Sequence, residues 1–515
     1  MNAQKASAPA KFAAWAAAAA LVVLMVAVGL RLAGRRDGDR PAAAVKPPPG
    51  PAAVDIKERV RHEEYREGKL HAAIQGERFS LGPDGRNHLE GAVEVTNYDQ
   101  AGRVVSLIRA DHIVYDKNAV LFAIAGRVRV EAEGVVLEGG SFEYDKSRGL
   151  FRTAAGGAFS SEDMAGAAPE ISYSESADEV LLAGGFRVEL NGTGPGAAKA
   201  VLSGDSLSYQ RRGRRGRAAG RVALTGGRCR GSAAFVDFDV AEGSSLLKNV
   251  VFEGAAELVI AGAGMDRAES GEVRADKVQA AFFPGSRGLS RAAALGHSRL
   301  SWPLSPASKS LIQAGGAVMT FGTGGQLERL DASGGCRAEL DDGAGKDRLL
   351  EGESMSYDAA TGILLASGEK GRPAVASSSD ARVEAPDIAV GPAAGDLEAS
   401  SGVMCLLKPD GERRAGGFFS GSEPVFLSCS KLTFLAETAV FSFLGGVRAW
   451  QGRDFIMAGE LDLMETSRDM RARGHVVAGL AQVVAAGGPE RRVEAGGEDM
   501  TYSTASRALS FTRKS

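Results

Sequence analysis

A chain of 515 residues, 44% of them hydrophobic and 24% charged, is long enough to bury a core and to hold more than one domain. Its formal net charge of −3 excludes a globally basic protein, so bulk nucleic-acid binding is not indicated. Aromatic residues make up only 6% while glycines number 68, a balance that suits many short strands and turns better than long helices.

Residues 12–30 are uncharged and nearly all apolar. As a helix rising about 1.5 Å per residue the run reaches roughly 28 Å, close to the ~30 Å hydrocarbon core of a bilayer, and it predicts a single retained anchor. A cleaved signal peptide is the competing reading. Against it, the run exceeds the usual apolar stretch of about 7–15 residues, and the first A-x-A, Ala42 to Ala44, lies beyond several arginines. Leu32-Ala33-Gly34 resembles the start of a lipoprotein cleavage box, but Arg35 stands where that box needs cysteine. Lys5 and Lys11 flank one side of the run and Arg31, Arg35, Arg36 and Arg40 the other, so the positive-inside rule gives no clean orientation. Residues 1–34 are thus read as tail and anchor. Residues 35–58 are a Pro/Ala-rich linker, in which Pro41, Pro47, Pro48, Pro49 and Pro51 favour extended geometry over a packed core.

Strand-like alternation begins near Tyr65 and is cleanest over residues 103–153. There Phe122, Ile124, Val128 and Val130 alternate with Arg127, Arg129 and Glu131, which places the two sets on opposite faces of a strand. Gly126 falls on the apolar face and marks a bulge or bend. A turn at Glu133-Gly134 leads to a second strand, which ends at Tyr144-Asp145. The phrase returns at 202–209 with 220–224 and at 350–358 with 362–365, and more weakly at 432–449 and 493–502. Such spacing is the mark of stacked supersecondary units that cannot bury their apolar faces alone. Residues 284–310, rich in Gly, Ser and Pro, read as a linker, and a second loose stretch covers 374–395.

Gly102-Arg103-Val104-Val105-Ser106-Leu107-Ile108-Arg109-Ala110-Asp111, then Tyr115-Asp116, Gly126-Arg127-Val128-Arg129-Val130 and Tyr144-Asp145, resemble the periplasmic lipopolysaccharide-export proteins of the LptC and LptA (OstA-like) type. The similarity is best over residues 60–224, and the single N-terminal anchor matches the LptC member. It implies a mainly β chain: an N-terminal transmembrane helix with a cytoplasmic tail, then elongated antiparallel β-jellyroll units in tandem. The LptC-like jellyroll would occupy 59–283. Residues 311–515, beyond the usual family length, would be further OstA-like β units. The resemblance also implies a single-pass inner-membrane protein with its bulk in the periplasm. Such a protein takes lipopolysaccharide from an inner-membrane ABC transporter and passes it to an LptA-like bridge protein by strand-edge pairing.

The chemistry of transport fits an alternating sheet. Each CH₂ exposed to water costs about 0.8 kcal/mol, so a chain of about 12 carbons needs ~10 kcal/mol of shelter. Leu107, Ile113, Phe122, Ile124, Val128, Val130, Phe142, Phe186, Val188 and Leu190 are the candidate lining of such a groove. Plain core packing accounts for any one of them equally well, since alternation shows that a face is buried and not what covers it. Arg211, Arg212, Arg214, Arg215 and Arg217 form a basic loop whose guanidinium forks suit lipid phosphate or an anionic membrane surface, or a solvated turn.

Cys229, Cys336, Cys405 and Cys429 are widely spaced without a C-x-x-C, so neither zinc nor a redox motif is indicated; Cys405 and Cys429 either pair in an oxidising compartment or stay as buried thiols. The six histidines are scattered, and no nucleotide-binding, metalloprotease or hydrolase motif is present. The expectation is a lipid carrier without catalytic residues, cofactor or metal. Two alternatives stay open: an anchored cell-envelope scaffold with a closed β core, and a β-helix carbohydrate-active protein.

Overall fold

The computed structural model describes residues 59–512 and the strand Asp55–Ile56, except positions 117, 119, 191–198, 243–245, 262–269, 306–307, 342–346, 392–394, 410–417, 420–422, 465–466, 468, 484–489 and 507. The apolar run 12–30 and nearly all of the linker 35–58 lie outside the described residues. Among the described residues no helix is long and apolar enough to cross a membrane. All the regular structure described is β, in 35 strands, and every named pairing is antiparallel.

The typical strand is long and broken at its middle. In Leu121–Ala132, Leu121 to Ala125 pair with Asp145 to Ser141; the register then shifts, and Val128 to Ala132 pair with Gly139 to Val135. Gly126 and Arg127 form the bulge. Gly126 has φ +97°, a conformation that costs glycine nothing and other residues a good deal. The same break recurs at Ala219/Val222, Glu253/Ala256, Leu295/Ser298, Ser400/Val403, Leu444/Val447 and Arg473/Val476. Left-handed residues stand at each of these, among them Gly220 and Arg221, Gly296 and His297, and Gly474 and His475. Aligned from strand to strand, the breaks make a crease.

The crease divides the structure into two half-sheets. The first runs from Leu121 to Ala125 through Leu150–Thr153, Glu170–Ser174, Glu179–Ala183 and Ser206–Gln210 to the start of Arg215–Gly226. The second runs from Val128 to Ala132 through Gly157–Ser160, Met164–Ala168, Phe186–Leu190 and Ala200–Gly204 to the end of that same strand. The following strands cross the crease in turn. The long edge opposite the crease, where the turns of both half-sheets lie, is here called the mouth.

Alternation decides which face is inside. In Leu121–Ala132, Phe122, Ile124, Val128, Val130 and Ala132 are buried while Leu121, Arg127 and Arg129 are exposed. Opposite residues share a face, so the buried set continues from strand to strand. Tyr115, Phe122, Tyr144, Phe151 and Tyr173 form an interior ladder of rings on five successive strands, with centroids 4.1 to 6.5 Å apart. Each fully buried Leu, Ile or Phe contributes about 1.5–3 kcal/mol. A single apolar cluster extends from Ile74 to Tyr502.

Pairing is continuous from Val60–Arg66 to Ala508–Thr512, so the repeated phrases are successive strands of one antiparallel β structure. Two sequence expectations change here. Residues 284–310 are not a linker: the strand Leu289–Ser305 occupies most of them and pairs on both sides, with Trp302 buried. Residues 374–395 hold the half-strands Ala374–Ser377, Ala381–Ala385 and Asp387–Val390, whose shortness and flanking Gly and Pro hid their pattern.

Candidate functional site

Nine of the ten candidate lining residues share the interior: Ile113, Phe122, Ile124, Val128, Val130, Phe142, Phe186, Val188 and Leu190 are all buried. Leu107 does not. It is half-buried on the outer face, while its neighbours Ser106 and Ile108 are buried. The cause is the register break between Arg109 and His112. Counting back from Ile113 by twos reaches Leu107, but the bulge resets the inward set to Ser106, Ile108 and Ala110.

The interior is filled by its own side chains, and the two half-sheets are fastened to one another along the mouth by polar groups. Lys146 of a first-half turn pairs with Glu64 of the strand Val60–Arg66. Burial pushes the Glu175 carboxyl up, and the nearby Ser106 and Tyr144 hydroxyls offset only part of the rise. Arg211 donates to the Glu133 carbonyl at 2.5 Å and to Asp178 at 3.0 Å, while Arg212 reaches the Glu133 carboxylate at 3.3 Å. Tyr209 donates to Asp163 Oδ2 at 2.6 Å, and Arg214 Nη1 lies 3.3 Å from Asp163 Oδ1. Burial and the Asp163 carboxylate together push the Tyr209 hydroxyl far above its ordinary value. Further along, Arg228 donates to the Gly324 carbonyl, and Arg348 donates to the Gly395 carbonyl at 2.8 Å beneath the Phe434 ring. Phe418 packs edge-on against Tyr502.

This placement revises the basic loop. Only residues 211–214 form the turn; Arg215 and Arg217 are already in a strand, on its outer face, facing Asp239 and Asp237. All five arginines have acidic partners within the chain. Alternating acids on the next strand, Asp237 and Asp239, were the readable signal for two of these pairs. Nothing in the sequence pattern marked Glu133 or Asp163 as their counterparts across the mouth.

The two ends differ. Opposite Ala72 and Ile74, the first edge strand turns Glu64 and His62 toward the interior face. On the last strands the inward positions are apolar and partly uncovered: Val493, opposite Leu480, is 50% exposed. Residues 490–497 pair on one side only among the described residues, since Ala508–Thr512 covers just 499–503. All four cysteines are free thiols. Cys405 and Cys429 lie on adjacent strands facing inward, and burial pushes them up to about 12 and about 11. Among the described residues no group of three or more His, Cys, Asp or Glu is placed to hold a metal ion.

No protein-family model matches the chain. No curated protein matches it. Among solved structures it is similar to LptH, the LptA-homologous periplasmic component of the lipopolysaccharide transport device of Pseudomonas aeruginosa. The identity is 15% and the TM-score 0.19, over 33% of this chain and 84% of that one, a likeness too loose to establish a shared fold.

Proposed function

We propose that this protein is an inner-membrane-anchored, periplasmic carrier of lipopolysaccharide or a similar acylated lipid, and not an enzyme. The observation that carries the reading is the form of the interior: a continuous apolar layer between two half-sheets, joined by backbone at the crease and, among the described residues, by side-chain contacts at the mouth. Parting the mouth breaks ion pairs and hydrogen bonds that water can replace, whereas parting the crease would break β ladders. Acyl chains enter sideways, replacing side-chain contacts between the half-sheets with contacts to lipid. The anchor, the LptC-type position beside an ABC transporter and the periplasmic location rest on the apolar run 12–30 and on the sequence resemblance.

The half-free edge at 490–497, with Val493 uncovered beside it, suits addition of a strand from a like-folded bridge protein, which would continue both the ladder and the apolar layer. A closed-core scaffold remains the second reading, favoured by the filled interior. Native mass spectrometry of the full chain from cells making lipopolysaccharide separates the two. A lipid-sized mass increment that survives removal of detergent supports the carrier, while a folded protein without any such increment supports the scaffold.

A further inference from the structure

Between the Asp163–Arg214 contact and the Arg228–Gly324 contact, a cleft of about 30 Å³ opens between the half-sheets. Leu190, Leu224 and Cys229 line it from the second half-sheet, and Leu247 and Phe282 from the first. Leu190 and Leu224 belong to the apolar interior, so the cleft is continuous with it. The turn between Gly271–Phe282 and Leu289–Ser305 brings Arg287 to its rim. Arg287 Nη1 is shielded from solvent and has no hydrogen-bond partner among the described residues. The guanidiniums of the neighbouring fastenings differ in this, each reaching an acid or a carbonyl.

A shielded guanidinium N–H without a partner is costly, and a planar fork of donors suits carboxylate or phosphate oxygens. An apolar cleft beneath it suits a hydrocarbon. We propose that this cleft is a lateral port for an anionic single-chain amphiphile: Arg287 binds the phosphate or carboxylate head, and the tail passes over Leu247 and Phe282 into the interior. The port rests on the carrier reading above and adds to it a specific head-group contact and point of entry.

The test uses the full chain in lipid nanodiscs with two photoactivatable probes, a diazirine-bearing dodecyl phosphate and the corresponding neutral dodecanol, and adducts are mapped by peptide mass spectrometry. In the wild type, dodecyl phosphate labels residues around Leu247 and Phe282 at least tenfold more than dodecanol does. Arg287→Gln, checked for an unchanged thermal transition, loses that preference, and Arg287→Lys keeps most of it. Equal labelling by dodecyl phosphate in wild type and Arg287→Gln overturns the port. So does full competition by inorganic phosphate at tail-independent strength, which would make this an anion site only. Labelling elsewhere in the interior with none at the cleft overturns the port and leaves the carrier reading standing. No interior labelling by either probe overturns both.

Discussion

The Tyr209 hydroxyl donates to Asp163 Oδ2 at 2.6 Å and so ties the first half-sheet to the second across the mouth. The Asp163 side chain is 8% exposed, and Arg214, which faces it, 23%. Replacing Asp163 with Ala removes the acceptor of the Tyr209 hydroxyl and the nearer acid of Arg214, which keeps Glu162 at 3.8 Å and the Ala241 carbonyl at 2.9 Å. Urea denaturation should show a loss of about 2–4 kcal/mol, somewhat below the ~3–5 kcal/mol for breaking a fully buried charge pair, because Arg214 is partly exposed. Arg217→Ala, which removes an exposed pair with Asp237, should cost less than about 1 kcal/mol.

At the crease, the Asp111 carboxylate accepts the Arg127 backbone N–H at 3.0 Å and an Nη2 hydrogen bond at 3.0 Å. Arg221 with Asp205 and His297 with Asp276 repeat this pairing. A methyl group at Gly126 would lie 2.5 Å from Asp111 Cβ, on a backbone at φ +97°. Gly126→Ala is expected to destabilise by about 1–3 kcal/mol. Gly140→Ala, where an added Cβ meets nothing within 4 Å, should stay within about 0.5 kcal/mol of wild type. Equal effects at the two sites would show that the bulge does not depend on glycine.

Two mouth carboxyls predict opposite pH trends. Burial raises Glu175, so in the window above its ordinary value of 4.5 the folded state holds the proton more firmly than the unfolded state, and stability falls as pH rises through that window. Glu175→Gln should remove that slope in denaturation curves taken from pH 4.5 upward. Glu64 is lowered: burial opposes ionisation, but the Lys146 hydrogen bond and charge outweigh it. Its contribution is present above 4.5 and is lost as pH falls below it, and Glu64→Gln should flatten the acid limb.

Cys405 and Cys429 should behave as inert core thiols. With burial holding them at about 12 and about 11, little thiolate exists at pH 8, and neither is open to reagent. Iodoacetamide should modify them slowly in native protein and rapidly in urea. Rapid native labelling would mean that the C-terminal half opens far more often than its packing implies.

How much of this was legible depends on range. Phe122, Ile124, Val128 and Val130 declared their face because strand alternation is local, and Gly126 declared the bend because only glycine sits easily at that φ. Leu107 was misplaced because the break between Arg109 and His112 leaves no glycine on that strand; the left-handed residue is on the next one. The strand Leu289–Ser305 was hidden by the same Gly-rich composition that elsewhere signals a turn, here supplying the bulge at Gly296. The mouth contacts were illegible for another reason. Arg211 and Glu133 are 78 positions apart, and no local pattern records a pairing that only folding creates.

The central claim is that the apolar interior receives lipid, and a photo-crosslinking amino acid at Ile124 tests it most directly. Ile124 is buried in the interior, whereas Arg129, five residues on, is exposed on the outer face and serves as the control. In cells making lipopolysaccharide, the carrier predicts strong lipid adducts at Ile124 and few at Arg129, with more at Ile124 when Asp163→Ala loosens the mouth. Folded protein with both positions silent, in the wild type and in Asp163→Ala, would contradict the claim and leave a closed scaffold.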